Sequence, residues 1–364
     1  MGHAGRRQLR APGRRGGGHG GHRSCGQARG ALISPVLSPE VAKPLVLLLA
    51  LAIDLALGDP PNRYHPVAWL GRLLAAGERR LCHGSPALLL TGGAALTLAV
   101  AGLAGVIGAI VSALANHLGQ AGLLVEALAL ACLLSLRGLA GAAREVAIEL
   151  SRGDLVAARR AVGYHLVSRP TTELDEEHVA SAAVESVAEN LTDSLIAPAL
   201  FFLAGGLPGA AVYRVVNTAD AMFGYRLGPL EYFGKVAARL DDLLNLIPAR
   251  LAGLSLIVGA GLVGESGRGA LASLRRDRRR AASPNAGWTM AAMAGALGVT
   301  LEKPGAYRLG AGALPVATDI ERSVRVLRAA ACVSLAVLVT ACLAGRLLGP
   351  PIETWSLVRT IGRA

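Results

Sequence analysis

Long apolar runs restrict this chain more than any other feature. A helix needs about 20 mostly uncharged residues to cross a bilayer core of roughly 30 Å, and Pro86 to Ala115 supplies them without a single charge. Ala121 to Leu136, Ser194 to Val216, Ile247 to Gly264 and Ala329 to Leu348 meet the same criterion less cleanly, while Lys43 to Gly58 is short and carries Asp54 near its end. With 52% hydrophobic residues against 17% charged, these runs describe a multi-pass membrane protein. No strand-like alternation extends for any length, so the expected fold is all-α. It is a polytopic transmembrane helical bundle with amphipathic cytoplasmic helices, including one over Arg137 to Val167, and a broken or re-entrant segment marked by Pro198, Gly205, Gly206 and Pro208. That break matters for topology. If Ser194 to Val216 spanned fully, the polar residues before and after it would face opposite sides of the membrane; irregular backbone at membrane depth is tolerated where protein buries it.

Residues 1–42, rich in Gly, Arg and His without apolar periodicity, read as a disordered basic tail. The first apolar stretch begins only at Leu45, too late for a signal peptide. Residues 43–348 read as one integral-membrane domain and 349–364 as a short C-terminal tail. The net charge of +12 is concentrated in blocks beside the apolar runs, such as Arg268 to Arg280 with six arginines and one Asp. Arg72 to Arg80 and Arg137 to Arg169 are basic as well. The positive-inside rule accounts for such blocks and places them in the cytoplasm, at the inner face of the cell membrane, with no nucleic-acid reading motif to compete. Cys25, Cys82, Cys132, Cys332 and Cys342 form no CxxC pair or metal-ligand spacing and read as small buried hydrophobes. There is no GxxxxGK[ST], strand-borne GxGxxG, HExxH or GxSxG.

One window reverses the charge of its surroundings. From Pro170 to Tyr213 there is no Lys or Arg, and seven acids make the window net −7: Glu173, Asp175, Glu176, Glu177, Glu185, Glu189 and Asp193. Glu185, Glu189 and Asp193 follow i, i+4, i+8, and each step of four turns only about 40° around a helix, so the three share a face. Like charges so spaced repel unless something neutralises them. Mg²⁺ carrying substrate phosphates would do so. A solvated acidic face is the plain alternative, weakened because the helix runs straight into an apolar segment, with Asn190 beside the acids and Ala and Ser between them.

A second polar stretch holds Arg214, Asn217, Asp220, Arg226, Lys235, Arg239, Asp241, Asp242, Asn245 and Arg250. Asp241, Asp242 and Asn245 offer oxygen ligands on one helix, and the guanidinium groups can fork onto phosphate or carboxylate; Lys235 offers a point charge. Read alone, the DDxxN string is equally a cap or an interhelical polar contact. Seven of the thirteen aromatic residues fall between Phe201 and Phe233, which suits either a large flat ligand or ordinary core and interfacial packing. His65, His165 and His178 are isolated, and an isolated His is commonly a hydrogen-bonded structural residue.

Taken in order, the polar strings resemble the CobD/CbiB family of cobinamide synthases. They are Asp54 with Gly58-Asp-Pro-Pro61 and His65-Pro66; Glu185-Ser-Val-Ala-Glu-Asn190 with Asp193; Ala197-Pro198; Asn217-Thr-Ala-Asp220 with Gly224-Tyr-Arg226; Phe233-Gly234; Arg239-Leu-Asp-Asp242 with Asn245; Pro248-Ala-Arg250; and Ser283-Pro-Asn-Ala-Gly287. Each is weak alone; the ordered set, over roughly residues 45–345, is specific. Pro170 departs from the pattern, standing after Arg169 where the family has an acid; Glu173 or Asp175 would have to supply any role of that carboxylate.

The resemblance implies an integral-membrane ligase of cobalamin biosynthesis that joins adenosylcobyric acid to (R)-1-amino-2-propanol or its O-phosphate, with ATP as co-substrate. On that reading Glu185, Glu189, Asp193, Asp241 and Asp242 hold Mg²⁺ and phosphate. Arg214, Arg226 and Arg239 meet phosphoryl charge, Arg169, Asn190, Asn217, Asp220, Lys235, Asn245 and Arg250 line the substrate site, and Asp59 and His65 handle protons or gate substrate. Two rivals are a non-catalytic corrinoid-binding scaffold for late cobalamin-pathway enzymes, which buried acids disfavour, and a membrane phospho- or prenyltransferase, which calls for two Asp-rich helices where one is present.

Overall fold

The computed structural model describes residues 39–345; most of the expected N-terminal tail, Cys25 with it, and all of the tail 349–364 lie outside the described residues. The first helix, α1 (Pro39–Leu57), starts before the expected boundary at 43. It is followed by α2 (Pro66–Leu81), α3 (Pro86–His117), α4 (Gln120–Ala131), α5 (Leu136–Ser151), α6 (Leu155–His165) and α7 (Glu176–Leu191). A π-helical turn, Thr192–Ile196, joins α7 to α8 (Ala197–Phe223). The remainder is α9 (Leu230–Phe233), α10 (Lys235–Leu244), α11 (Leu246–Leu262), α12 (Gly267–Asp277), α13 (Ala286–Leu297), a β-hairpin of β1 (Thr300–Lys303) and β2 (Tyr307–Gly310), and α14 (Ala317–Leu343).

Local chemistry explains most boundaries. Ser85 caps α3 and Pro86 occupies its first turn, where a missing N–H costs nothing. The amphipathic helix expected over 137–167 is two helices, because Gly153 takes a positive φ and Asp154 caps α6 by accepting from the Ala157 N–H at 2.8 Å. Asp175 caps α7 in the same way through the His178 N–H. Among the described residues four stretches are long and apolar enough to cross a membrane, or five if the pair α10–α11, bent by 51°, counts as one.

Helix α7 forms the centre of the bundle. Every residue from Val179 to Ala188 is buried, the pattern of a helix packed on all sides, here by α5, α13, α14 and the hairpin.

The expected break falls at Gly206, whose φ of 66° and ψ of −164° interrupt α8, and Pro208 forbids the hydrogen bond that would mend it. The chain doubles back. Phe201 and Tyr213 stack with ring centroids 5.2 Å apart, although twelve residues of straight helix would separate them by about 18 Å. The segment is therefore a helical hairpin, not one straight rod. Close approach to α3 follows from a small residue: a Cβ at Gly108 would lie 2.9 Å from the Pro208 nitrogen.

The fold is almost entirely helical, as expected, and the strands among the described residues are confined to one short hairpin, in which Thr300 pairs with Gly310 and Lys303 with Tyr307. Its strands are four residues each, too short for alternation to register, and tertiary contacts hold it: Ser181 Oγ accepts from the Glu302 N–H at 2.8 Å and Asp277 Oδ2 from the Gly310 N–H at 2.9 Å. The aromatic cluster is core in large part, since Phe202, Tyr213, Phe223 and Phe233 are fully buried.

Candidate functional site

Doubling back in α8 unites what a full span would have separated. Asp193 sits in the π turn, and the returning half of α8 brings Tyr213 and Arg214 against it. Tyr213 Oη lies 3.2 Å from Asp193 Oδ1 and 3.0 Å from Asn245 Oδ1, and Arg214 donates to the Asp193 carbonyl at 3.0 Å. Asn245, at the α10–α11 bend, ties the two sides together: its amide donates to Asp193 Oδ1 at 3.2 Å and Asp241 Oδ2 at 3.0 Å. Asn217 donates to the other oxygen of Asp241 at 3.2 Å.

Around these groups is a small cavity lined by Glu189, Thr192, Asp193, Asp241, Asn245, Ala249, Ser283, Asn285, Ala286 and Thr289, with about 30 Å³ of open space. One or two waters or a small ion would fill it; a corrin would not. Glu189 is exposed to this opening, and the charges acting on it are Glu185, Asp241, Asp220 and Lys303. Two buried polar atoms here lack any partner, Thr192 Oγ1 and Arg214 Nε. Buried donors and acceptors are nearly always paired, so each leaves one hydrogen bond for a water or a ligand group to make.

The five carboxylates expected to act together do not form one cluster, and among the described residues no three His, Cys, Asp or Glu side chains are grouped to hold a metal ion. Glu185 is turned away and satisfied: Ser181 Oγ donates to it at 2.8 Å, Tyr307 Oη at 2.7 Å, and Arg169 stands 3.8 Å off. Tyr307 lies outside the membrane spans, and burial followed by the Glu185 charge pushes its phenol upward, keeping it a donor. Asp242 turns toward the segment before α13, accepting from Ser283 Oγ at 3.2 Å, with Arg239 at 3.7 Å. Asn285 donates to the Asp242 carbonyl at 2.7 Å and receives Arg250, which also lies over the Trp288 ring.

Other expected site residues fall at the margin. Arg226 and Lys235 are exposed and bond none of the cavity groups; Lys235 lies over the Tyr232 ring. Asn190 spends its amide on the Ser186 carbonyl of its own helix. Asp220, one turn beyond Asn217 on α8, feels Asp241 and Asp242. Asp54 anchors the start of α5, accepting from the Leu136 and Arg137 N–H groups at 3.0 and 3.1 Å. His65 caps α2 through Nδ1, which accepts from the Val67 N–H at 3.2 Å, and its Nε2 stands 3.7 Å from Asp59.

Thr192, Thr289, Lys303 and Tyr307 were not singled out by sequence reasoning. The Pro304-Gly305 turn between Thr-Leu-Glu and Tyr-Arg-Leu was the available signal for the last two; nothing local marks Thr192.

The chain is similar to known proteins along most of its length. The family model described as CobD/Cbib protein matches residues 47–336. The chain is 46% identical over 266 residues to a probable cobalamin biosynthesis protein CobD of Methanothermobacter thermautotrophicus, covering 73% of this chain and 86% of that one. It is 42% identical over 273 residues to a cobalamin biosynthesis protein CobD of Brucella suis (73% and 83%) and 39% identical over 308 residues to that of Klebsiella pneumoniae (81% and 96%). No solved structure matches the chain.

Proposed function

The chain belongs to the CobD/CbiB family and serves cobalamin biosynthesis as a membrane protein, and from that premise we propose that it is an ATP-dependent amide-forming ligase. Its substrates on this reading are adenosylcobyric acid and (R)-1-amino-2-propanol or the O-phosphate of that amine, and its product is adenosylcobinamide or its phosphate. A carboxylate is a poor acyl donor. Transfer of the ATP terminal phosphoryl group to the propionate would give an acyl phosphate and ADP; attack by the amine then forms the C–N bond and releases phosphate.

The observation that carries this reading is the cavity itself, where acids from the π turn and from α10 meet across the returning half of α8 beside an unpartnered buried hydroxyl. Its donor set fits a divalent cation. Mg²⁺ commonly takes one or two carboxylates and fills its remaining positions with water and phosphate oxygens, so Asp193 and Asp241 suffice, with Glu189 at the opening. When bound there, the ion would neutralise phosphoryl charge. Arg214, held on the Asp193 carbonyl with Nε–H unpartnered, offers a fixed donor to a phosphate oxygen. Asn217 and Asn245 keep the carboxylates apart and aimed. Glu185 and Asp242 act as supports, through Tyr307 and Arg169 on one side and Ser283 on the other. The site faces the cytoplasm on this proposal, where ATP is available.

The test is incubation of purified protein with adenosylcobyric acid, ATP, Mg²⁺ and either amine, followed by mass spectrometry. The expected result is an amide product formed together with ADP and dependent on Mg²⁺. Nucleotide turnover with no amide, or no reaction with either amine, overturns the proposal.

A further inference from the structure

The loop after α1 holds a carboxylate of different character from those in the cavity. Gly58, at φ 73°, turns the chain out of the helix, and Pro60 and Pro61 stiffen the next stretch of backbone, so Asp59 is presented in a fixed place. Its Oδ2 accepts from Ser135 Oγ at 2.6 Å, and a Cβ at position 138 would lie 2.4 Å from that oxygen, so Gly138 is what leaves room for the bond. Ser135 in turn donates its backbone N–H to the Ser194 carbonyl at 3.1 Å. Asp59 is therefore linked through Ser135 to Ser194, the residue after Asp193.

His65 supplies the other contact, and its tautomer follows from geometry. Because Nδ1 accepts the Val67 N–H, a neutral ring carries its proton on Nε2, which faces Asp59. This imidazole orients Asp59 and has no free lone pair to serve as a base. Burial works to raise the Asp59 carboxyl, but the close approach of His65 and the Ser135 hydrogen bond, with more distant help from Arg214, outweigh it and hold the group below its ordinary range. Asp59 thus stays an anion with 32% of its side chain exposed, and its direct partners among the described residues are a hydroxyl and an imidazole. Asp54, on the same segment, gives one oxygen to two backbone N–H groups and keeps the other buried and unpartnered at 1% exposure, out of reach of a ligand arriving from solvent.

We infer that Asp59 is the docking carboxylate for the amine partner of the ligation, which it receives as a primary ammonium, with Ser135 and His65 as positioning residues. The inference rests on the ligase reading above and adds the place where the amine binds. The cavity beside Asp193 is too small to hold the amine together with a cation and phosphate, and its acids would be engaged by the metal. Asp59 is linked through Ser135 to Ser194, the residue after Asp193, and it is a partly exposed carboxylate with no Lys or Arg in direct contact among the described residues.

Steady-state ligation by the purified full-length protein tests this, with the KM of each substrate measured separately. Asp59→Asn is expected to raise the KM for 1-amino-2-propanol by about 10- to 100-fold, the loss of one charged hydrogen bond, while the KM values for ATP and the corrinoid stay within about twofold. Ser135→Ala should give a smaller rise in the same constant alone. With hydroxylamine, a nucleophile uncharged at neutral pH, Asp59→Asn should lose no more than about threefold. Asp59→Glu restores part of the amine affinity and guards against misfolding as the cause. An unchanged amine KM, or an equal loss with both nucleophiles, overturns the inference and leaves the ligase reading standing; absence of ligation by the unaltered protein removes both.

Discussion

Glu185 and Asp193 lie eight residues apart on what reads as a single helical face, and the structure gives them opposite fates. Glu185 is 5% exposed and fully engaged, its two oxygens taken by Ser181 and Tyr307 with Arg169 close by. Asp193 accepts from the Tyr213 phenol and shares the Asn245 amide with Asp241 at the edge of a cavity that contains an unpartnered hydroxyl. Charge and spacing are the same in both cases. The difference lies in what arrives from elsewhere: a hairpin tyrosine and a loop arginine at Glu185, another carboxylate at Asp193. A satisfied acid stabilises the fold, whereas an under-served one is available to a ligand.

That contrast can be broken by substitution. The largest effect is expected for Asp193→Ala or Asp241→Asn, which should lower ligation by about 10²- to 10³-fold, as for loss of a group that steadies transition-state charge, with unfolding in detergent unchanged or shifted to higher temperature because two acids no longer repel. A clear fall in melting temperature would make Asp193 a structural acid like Glu185. Glu185→Ala should do the reverse, costing about 2–4 kcal/mol of stability by stranding Tyr307 and Arg169, with kcat of the folded fraction little altered; calorimetry beside an active-site titration separates the two. Thr192→Val sharpens the argument on a smaller scale. Removing an unpartnered buried hydroxyl should be neutral or slightly stabilising, yet ligation should fall by about tenfold if a phosphate or metal-bound water uses it.

The smallest effect concerns Asp277, which lies outside the membrane spans and fastens the hairpin. Burial raises its carboxyl, but Arg276 and the Gly310 N–H more than compensate and hold it below the ordinary range. A carboxyl lowered in the folded state contributes stability that is fully present above its unfolded pKa, about 3.9, and is lost as pH falls through the folded value. Asp277→Asn should therefore be less stable than the unaltered protein near neutrality, the gap closing in acid. A constant gap across that range would contradict the assignment.

Much of the architecture is legible without coordinates, because the quantities that set it are local. Bilayer thickness converts apolar run length into spans, the missing N–H of Pro208 and the backbone freedom of Gly206 mark the break in α8, and side-chain caps such as Asp154 and Asp175 start helices where the chain itself provides them. The acid-rich window and the order of the polar strings were likewise enough to indicate a family. Tertiary structure alone decided which acids meet. Glu185 is engaged by Tyr307, 122 residues away, and Asp193 is joined to Asp241 through a hairpin whose stacking of Phe201 on Tyr213 no periodicity expresses. Helical repeat states which side chains share a face; it carries no information about the distant segment packed against that face, and the partner on that segment determines whether a buried charge is a strut or a site.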